Sequence, residues 1–279
     1  MQLSDADPKQ ALSAKLERLK GLMTSLQPGV IAFSGGVDSR LLAGLAEAWG
    51  LDYVLVTVAG QHMSPQELLF ARIMQGSLRL PSRILAMDPL QVPEVAGNTR
   101  ERCYHCKQHL FSGLLGLGEE SGRPRLLEGS QASDLGSYRP GRRAVEELGV
   151  HSPLQAVGIT KDEVRSTLAA QGMPWPGQPS RPCLLTRFAY GVRPQSGLLL
   201  RLGEAEDALV ALGLRDFRLR VIAPDSFVLQ IQQSEQDRYR QCCGLAHAVL
   251  DQAGFGSAET VFTDRVSGFY DARERTGQE

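Results

Sequence analysis

The sequence contains no long hydrophobic segment: no run of about 18 uncharged apolar residues occurs along its 279 residues. Its first ten residues, MQLSDADPKQ, lack the basic-then-apolar order of a secretory signal. Lysine and arginine (30) almost balance aspartate and glutamate (31), so the net charge of −1 provides no general basic field for nucleic acid. These absences predict a cytoplasmic protein without a membrane or nucleic-acid partner, although a local basic patch is compatible with the balance.

Cysteine is scarce as well. Five cysteines in a chain of this length do not form a disulfide framework, and a reducing compartment would keep them as thiols for metal binding or sulfur chemistry. They are Cys103, Cys106, Cys183, Cys242 and Cys243. The last two lie in an apolar helical pattern, where we expect packed, inert residues.

Short apolar runs alternate with helical patterns in the first part of the chain. The runs GVIAF, DYVLVTVAG, SRILAMD and RPRLLEGS predict buried strands. Helices are predicted over 11–26, 41–50 and 64–78, the last entered through Ser64 and Pro65. This alternation predicts an α/β fold, a doubly wound parallel sheet whose ligand lies at the carboxyl ends of the strands.

The composition divides the chain into three parts. Residues 1–172 form the predicted nucleotide-binding domain, and four prolines mark 173–192 as an ordered cysteine-bearing junction. Residues 193–279 alternate helix, two strands and helix, which predicts a smaller α+β domain.

The segment SGGVDS, Ser34–Ser39, follows the first predicted strand and precedes a helix. Gly35 and Gly36 permit close backbone approach, and successive N–H groups at a helix start attract anions. The lysine and spacing of the GxxxxGKS phosphate loop are absent, and so is GxGxxG. A phosphate site of another kind is predicted; the alternative is a tight turn in which Ser34 and Ser39 cap backbone groups.

The central cysteines have metal-ligand spacing. Cys103 and Cys106 form a C-x-x-C pair, but no second pair exists to complete a zinc site, and we interpret His105 and His109 as solvated or capping residues. With Cys183, three thiolates could hold three irons of a 4Fe-4S cluster; the alternative is that these cysteines are packed residues.

Arginine flanks the third cysteine on both sides. Arg181 and Arg187 are predicted to lower the pKa of the Cys183 thiol, which would make it an exposed, activated thiolate.

The loop resembles the PP-loop motif SGGxDS of the ATP pyrophosphatase superfamily, in which the α-phosphorus of ATP is attacked and pyrophosphate leaves. The motif corresponds to Ser34, Gly35, Gly36, Val37, Asp38 and Ser39, of which Val37 occupies the variable position. Together with ERCYHCK, EGSQASDLGSYRPGRRAVEELGVHSPL, GITKDEVR and PCLLTRFAYG, the sequence resembles the LarE family from about Val30 to Gly191, and more weakly to about Arg240.

This resemblance implies a HUP-like PP-loop fold and a sulfur transferase that uses ATP and Mg²⁺. Family members adenylylate a carboxylate of pyridinium-3,5-dicarboxylate mononucleotide and convert it to a thiocarboxylate for the nickel-pincer cofactor of lactate racemase. One branch sacrifices the sulfur of a cysteine at the position of Cys183; the other holds a 4Fe-4S cluster on three cysteines. Cys103 and Cys106 beside Cys183 favour the cluster branch.

Further residues are assigned by the same resemblance. Gly129 is expected in the nucleotide site, whereas Asp134 and Arg139 match without an assigned role. Arg218 and Arg220, two apart on a strand, resemble positions that bind the substrate phosphate, with Glu206 nearby; the alternative is a solvent-facing strand edge. A homo-oligomer is also expected.

The sequence departs from the family pattern in two segments, at Ser130 and Gln131 and at Leu185 and Thr186. None of these changes removes a group that the reaction needs. Rival hypotheses are a cluster-dependent tRNA thiolation protein, a PP-loop amide or nucleotide synthetase, and a non-catalytic nucleotide and cluster sensor.

Overall fold

The structure is a computed structural model that describes residues 8–134, 140–179 and 181–270. Its helices and strands, in chain order, are α1 (Pro8–Leu26), β1 (Gly29–Ala32), α2 (Val37–Ala48), β2 (Tyr53–Ala59), α3 (Pro65–Gly76), β3 (Ser82–Ala86), α4 (Pro93–Ala96), α5 (Arg102–Glu120), β4 (Arg125–Leu127), α6 (Gly141–Glu147), α7 (Pro153–Ala156), α8 (Lys161–Ala170), α9 (Ser196–Ala211), β5 (Phe217–Ala223), β6 (Ser226–Gln232), α10 (Gln236–Gln252) and β7 (Glu259–Thr263).

The chain divides into two compact units, each assembled from separated segments. The first unit takes 1–59, 68–87 and 106–178, and the second takes 60–67, 88–105 and 179–279. The domain boundaries predicted from the sequence assume continuous segments, whereas two short internal segments belong to the second unit.

A four-stranded parallel sheet in the order β3-β2-β1-β4 forms the centre of the first unit. Gly29 is aligned with Tyr53 on β2 and with Arg125 on β4. The chain runs from β1 outward to β2 and β3 on one side, and returns to β4 on the other. This reversal creates a crevice outside the carboxyl ends of β1 and β4, the usual ligand site of such sheets.

Helices cover both faces of this sheet, which confirms the doubly wound α/β prediction. Ile31 and Leu127 are buried in the apolar layer formed with α1, α2, α7 and α8. Their chain neighbours Val30 and Leu126 are buried in the opposite layer, with α5 and α6. Side chains alternate in direction along a strand, so apolar residues at successive positions fit a strand buried on both faces.

The second unit contains a three-stranded sheet in the order β5-β6-β7. β5 and β6 form an antiparallel hairpin in which Leu219 pairs with Leu229, and β7 runs parallel to β6 after the crossover through α10. Leu202 and Leu209 are fully buried on α9. This is the predicted small α+β arrangement, with β7 added to the elements that the sequence indicated.

In the parts of the chain described here, every helix is too short or too polar to cross a membrane.

Candidate active site

The loop after β1 makes a tight turn into α2. Gly35 has φ 76°, and a Cβ there would lie 3.0 Å from the Ala71 Cα, so the turn needs glycine. Gly36 N donates to the Ser34 Oγ at 3.3 Å, and the Ser39 Oγ donates to Gly36 O at 3.1 Å. The hydrogen bonds expected if Ser34 and Ser39 cap backbone groups are therefore present in this turn.

The start of α2 has no side-chain cap from its N-cap residue. Gly36 is the N-cap residue and supplies no side-chain bond to the first N–H groups, while Val37 opens the helix as a core residue, 4% exposed. Such N–H groups, at the positive end of the helix dipole, form an anion site. Ser34, Gly36 and Ser39 thus surround a place suited to phosphate oxygens.

Gly129 brings the loop after β4 against this turn. A Cβ on Gly129 would lie 3.1 Å from the Asp38 Cβ and 3.2 Å from Ser39 N, so any side chain would push the two loops apart. The sequence-predicted residues of the two loops therefore meet in the crevice outside β1 and β4.

Asp38 carries the main electrostatic feature of this crevice. Lys161 Nζ donates to Asp38 Oδ2 at 2.7 Å, whereas the buried Oδ1 has no hydrogen-bond partner in the described residues. Burial raises the pKa of Asp38; the bond from Lys161 opposes that rise and the charge of Asp134 adds to it. Sequence reasoning assigned no role to Lys161, although it lies in the quoted segment GITKDEVR.

A second residue that sequence reasoning missed is Glu128, which directly follows β4 and is 7% exposed. Its carboxylate accepts bonds from Ser130 N at 3.0 Å, from the Ser130 Oγ at 2.9 Å and from the Ser152 hydroxyl. Lys107 Nζ lies 3.5 Å from the Glu128 Oε2. Glu128 therefore holds the loop that presents Gly129.

Gln131, the second position at which this loop departs from the family pattern, also forms hydrogen bonds within the loop. The buried Gln131 donates from its N and Nε2 to Asp134, and its Oε1 accepts from Ser133 N at 2.7 Å. Arg139 lies outside the described residues.

The cysteines are distributed over both units. Cys103 and Cys183 belong to the second unit and Cys106 to the first, and all three are partly exposed. Cys103 and Cys106 lie about one turn apart on α5. Across the described ranges, no three histidine, cysteine or acidic side chains are grouped so as to hold a metal ion. The assignment of these cysteines to a cluster stays a prediction.

The remaining cysteine and histidine predictions concern single residues. On α10, Cys242 is buried as expected, but Cys243 is exposed, so its predicted packing is wrong. The His105 ring lies edge-on to Tyr104, with the ring centroids 5.0 Å apart.

The loop that carries Cys183 is held by hydrogen bonds to main-chain oxygens within the second unit. Leu184 N donates to His62 O at 2.9 Å, and the Thr186 hydroxyl donates to Cys183 O at 2.7 Å. Although the residue is partly exposed, burial of its sulfur raises the pKa of the Cys183 thiol to about 12, and Cys103 acts in the same direction. The prediction of a lowered pKa is therefore wrong.

The two flanking arginines are engaged by carboxylates. Arg187 donates from Nε and Nη2 to Glu206 at 2.8 and 2.7 Å, both side chains being almost fully buried. Arg181 Nη1 donates to Asp207 at 3.0 Å. Each positive charge is largely balanced by its carboxylate partner. It therefore only weakly offsets the effect of burial on the pKa of the Cys183 thiol.

Arg218 and Arg220 share one sheet face but do not face solvent; they are 6% and 4% exposed, so the alternative interpretation as a solvent-facing edge is wrong. Arg220 donates to Gln230 Oε1 and Thr186 O, both at 3.0 Å. Burial, and next the charge of Arg187, lower the pKa of Arg218 to about 10 and that of Arg220 to about 9.

Glu206 is close enough to influence both of these guanidinium groups, as predicted, but it is bonded to Arg187. The second unit therefore encloses three buried arginines around one buried glutamate, an environment that favours an incoming anion.

Comparison with family models gives no match. Among individual proteins, an uncharacterized protein of Synechocystis is 32% identical over 260 residues, covering 89% of this chain and 97% of the relative. The pyridinium-3,5-bisthiocarboxylic acid mononucleotide synthase of Lactiplantibacillus plantarum is 27% identical over 258 residues, covering 88% and 93%. The tRNA-specific 2-thiouridylase MnmA of Rhizobium etli is 31% identical over 140 residues, 42% of this chain and 34% of that enzyme.

Proposed function

The chain belongs to the LarE family, and on that premise we propose that it is an ATP-dependent sulfur transferase acting on pyridinium-3,5-dicarboxylate mononucleotide. The product would be a thiocarboxylate precursor of the nickel-pincer cofactor of lactate racemase. One observation carries the proposal: the match to the synthase extends over nearly the whole length of both proteins.

The first half-reaction we propose is adenylylation. A substrate carboxylate oxygen attacks the α-phosphorus of ATP, and the bond to the bridging oxygen breaks, so that pyrophosphate leaves with the electron pair. Ser34, Gly36 and Ser39 lie where hydroxyl and N–H donors can bind phosphate oxygens. The acyl adenylate then carries AMP as its leaving group.

Asp38 suits the magnesium that accompanies ATP. Its buried Oδ1 lacks a hydrogen-bond partner in the described residues, and a carboxylate oxygen is a preferred ligand of this hard cation. When bound, Mg²⁺ would neutralise phosphate charge.

The substrate phosphate is assigned to the second unit. Arg218 and Arg220 are buried cations whose burial disfavours their charge, and an anion would relieve that cost. Glu206 would keep Arg187 in place as their neighbour. The proposal thus gives the buried arginines an anionic ligand.

The second half-reaction replaces AMP by sulfur: a sulfide attacks the acyl carbon, a C–S bond forms and the C–O bond to AMP breaks. The proposed source is a sulfide carried on a 4Fe-4S cluster held by Cys103, Cys106 and Cys183; such a cluster would supply sulfide without consuming the protein. The described residues contain no ready three-ligand group, so the cluster is proposed from the cysteine spacing and the family resemblance. The alternative is sacrificial donation from Cys183, which leaves dehydroalanine.

The proposal is tested by incubating anaerobically purified protein with ATP, Mg²⁺ and the pyridinium mononucleotide. We expect pyrophosphate release, and mass spectrometry should detect sulfur in place of a carboxylate oxygen. Cys183→Ala should abolish the sulfur product while pyrophosphate release persists, whereas Cys243→Ala, the matched exposed cysteine, should change neither. Full activity of Cys183→Ala would contradict the proposal and favour an amide or nucleotide synthetase.

Iron and acid-labile sulfide analysis separates the two sulfur sources. A cluster-free protein that loses the elements of hydrogen sulfide at Cys183 after one turnover would establish the sacrificial route. Light scattering after size-exclusion chromatography checks the expected homo-oligomer.

The same reaction tests the remaining rivals. The thiouridylase match covers about a third of that enzyme, so tRNA thiolation is the second candidate; sulfur appearing in added tRNA would support it. A sensor would bind ATP without releasing pyrophosphate.

A further inference from the structure

We propose that Arg102 is a substrate-binding residue whose guanidinium takes the carboxylate of the pyridinium mononucleotide that ATP does not activate. The inference rests on the proposed function, because a 3,5-dicarboxylate keeps one free carboxylate while the other becomes an adenylate. Arg102 is the first residue of α5 and directly precedes Cys103, yet it is only 5% exposed. An arginine buried to this extent normally has a carboxylate partner.

Arg102 has no such partner within the described residues. Both of its side-chain hydrogen bonds there leave from Nη1, to Asn98 Oδ1 at 2.6 Å and to Phe188 O at 3.4 Å, and its buried Nε has no partner. The Tyr190 ring lies against the guanidinium, with the Arg102 Cζ 4.8 Å from the ring centroid. A cation taken out of water in this way is costly unless an anion joins it. The guanidinium edge that carries Nε therefore suits an anionic ligand.

Asn98 fixes the orientation of this guanidinium. Asn98 is fully buried, and its Nδ2 donates to Ala189 O at 2.6 Å and to Val192 O at 2.8 Å, which leaves its Oδ1 for Arg102. Gly191 N donates to Asn98 O at 3.1 Å and ties the same segment to the start of α5. A guanidinium held in advance binds a planar anion with little further loss of entropy.

The guanidinium of Arg102 is close enough to Cys183 for its charge to act on the thiol. The charges of Arg102 and Arg187 both oppose the rise in the pKa of Cys183 that burial causes. Arg187 donates through two nitrogens to Glu206, whereas Arg102 has no counter-charge in the described residues. An anion bound to Arg102 would therefore lie near the sulfur chemistry proposed for Cys183.

The chemistry of this edge fits a carboxylate. Nε and Nη2 present two parallel N–H groups, and a carboxylate can accept both at once. The substrate phosphate is assigned to Arg218 and Arg220, and one carboxylate becomes the acyl adenylate, so the free carboxylate is the remaining anionic group of the mononucleotide. Arg102 binds it without making or breaking a covalent bond and keeps its proton throughout.

The test is isothermal titration of the full chain, without ATP, with two mononucleotides that share the ring and the phosphate. One is the pyridinium-3,5-dicarboxylate and the other is the pyridinium-3-carboxamide, which has no carboxylate. Arg102→Met should weaken binding of the dicarboxylate by about 10- to 100-fold, as expected for a lost charge-assisted pair, and change binding of the carboxamide less than about twofold. Equal losses for both ligands, or no loss for either, would overturn the proposal by reducing Arg102 to a support for the fold.

The matched control is Arg100→Met. Arg100 is exposed, and its Cζ lies 5.8 Å from the centroid of the same Tyr190 ring, so this variant removes a nearby charge without entering the buried site. Both affinities should then stay within about twofold of wild type. If Arg102→Met fails to fold, Arg102→Lys is titrated instead, because it keeps the buried charge but loses the planar pair of donors. The dicarboxylate alone should then bind about fivefold more weakly, and unchanged selectivity would overturn the proposal.

These titrations do not depend on sulfur transfer. If binding of the dicarboxylate depends on Arg102 but wild-type protein releases no pyrophosphate with ATP, the proposed function fails while the binding role of Arg102 stands. If wild-type protein turns over and the selective loss is missing, only the role of Arg102 fails.

Discussion

Replacing Glu206 with glutamine should destabilise the second unit strongly. The carboxylate accepts two bonds from Arg187, at 2.8 and 2.7 Å, and a third from Leu219 N at 2.9 Å. The side chains of Arg187 and Glu206 are only 1% and 4% exposed, so water cannot replace the lost partner. Glutamine would leave a buried guanidinium without its counter-charge, for which we expect a loss of about 3 to 5 kcal/mol in the free energy of unfolding.

The assay is urea unfolding followed by far-UV circular dichroism, with hydrogen exchange of the β5 and β6 amides to localise the effect. Exchange in that hairpin should become much faster in the Glu206→Gln variant. The control is Glu146→Gln, because Glu146 pairs with Arg142 on an exposed helix face and its loss should cost less than about 0.5 kcal/mol.

A loss below about 1 kcal/mol for Glu206→Gln would refute the reasoning, because it would mean that the Arg187 charge is hydrated or repaired by another group. Unchanged exchange in the hairpin together with a large global loss would refute the assignment of the effect to this pair.

Three further variants probe separate features. Gly129→Ala places a Cβ about 3.2 Å from Ser39 N and should weaken ATP binding about tenfold in calorimetry, whereas unchanged affinity would mean that the loops separate freely. Burial lowers the pKa of His62 to about 4, from about 6.5 in an unfolded chain, so the unfolded state takes up the proton first as the pH falls. The free energy of unfolding should therefore decrease by up to about 3 kcal/mol as the pH is lowered from about 6.5 to about 4. His62→Gln should flatten this part of the urea-unfolding pH profile, and an unaltered slope would contradict the assignment. Arg40→Met removes the bonds that hold 173–178, so limited proteolysis there should accelerate; equal cleavage rates would mean that other contacts hold the segment.

The strands of both sheets were predictable where apolar residues occupy successive positions. GVIAF and DYVLVTVAG correspond to β1 and β2 within about one residue at each end, because burial on both faces leaves an uninterrupted apolar run. β7 was missed because Glu259–Thr263 is short and mostly half-buried, so it has no such run. No element was predicted over Arg102–Glu120, where polar residues and cysteines obscure the helical period of α5.

The residues of the candidate site also differ in whether the sequence predicts them, for similar physical reasons. The turn of Ser34–Ser39 follows from local backbone requirements, so its sequence identifies it. Lys161 and Glu128 reach the crevice only because β4 lies beside β1, and a single sequence does not reveal that strand order. Arg218 and Arg220 were placed correctly on one face, but strand periodicity does not distinguish an exposed face from one that buries charge.

The two units arrange charge differently, in keeping with the two proposed half-reactions. In the first unit, Gly36 supplies no side-chain cap to α2, and one oxygen of Asp38 has no hydrogen-bond partner in the described residues, which suits a site for transient phosphate groups. The second unit instead pairs Arg187 with Glu206, so the charge of Arg187 only weakly offsets the effect of burial on the pKa of the Cys183 thiol. Under the sacrificial alternative, in which Cys183 itself donates the sulfur, a protonated thiol would be a poor nucleophile, so the other reactant would have to be activated. The proposed acyl adenylate would supply that activation, because AMP would depart readily from the carbon that sulfur attacks.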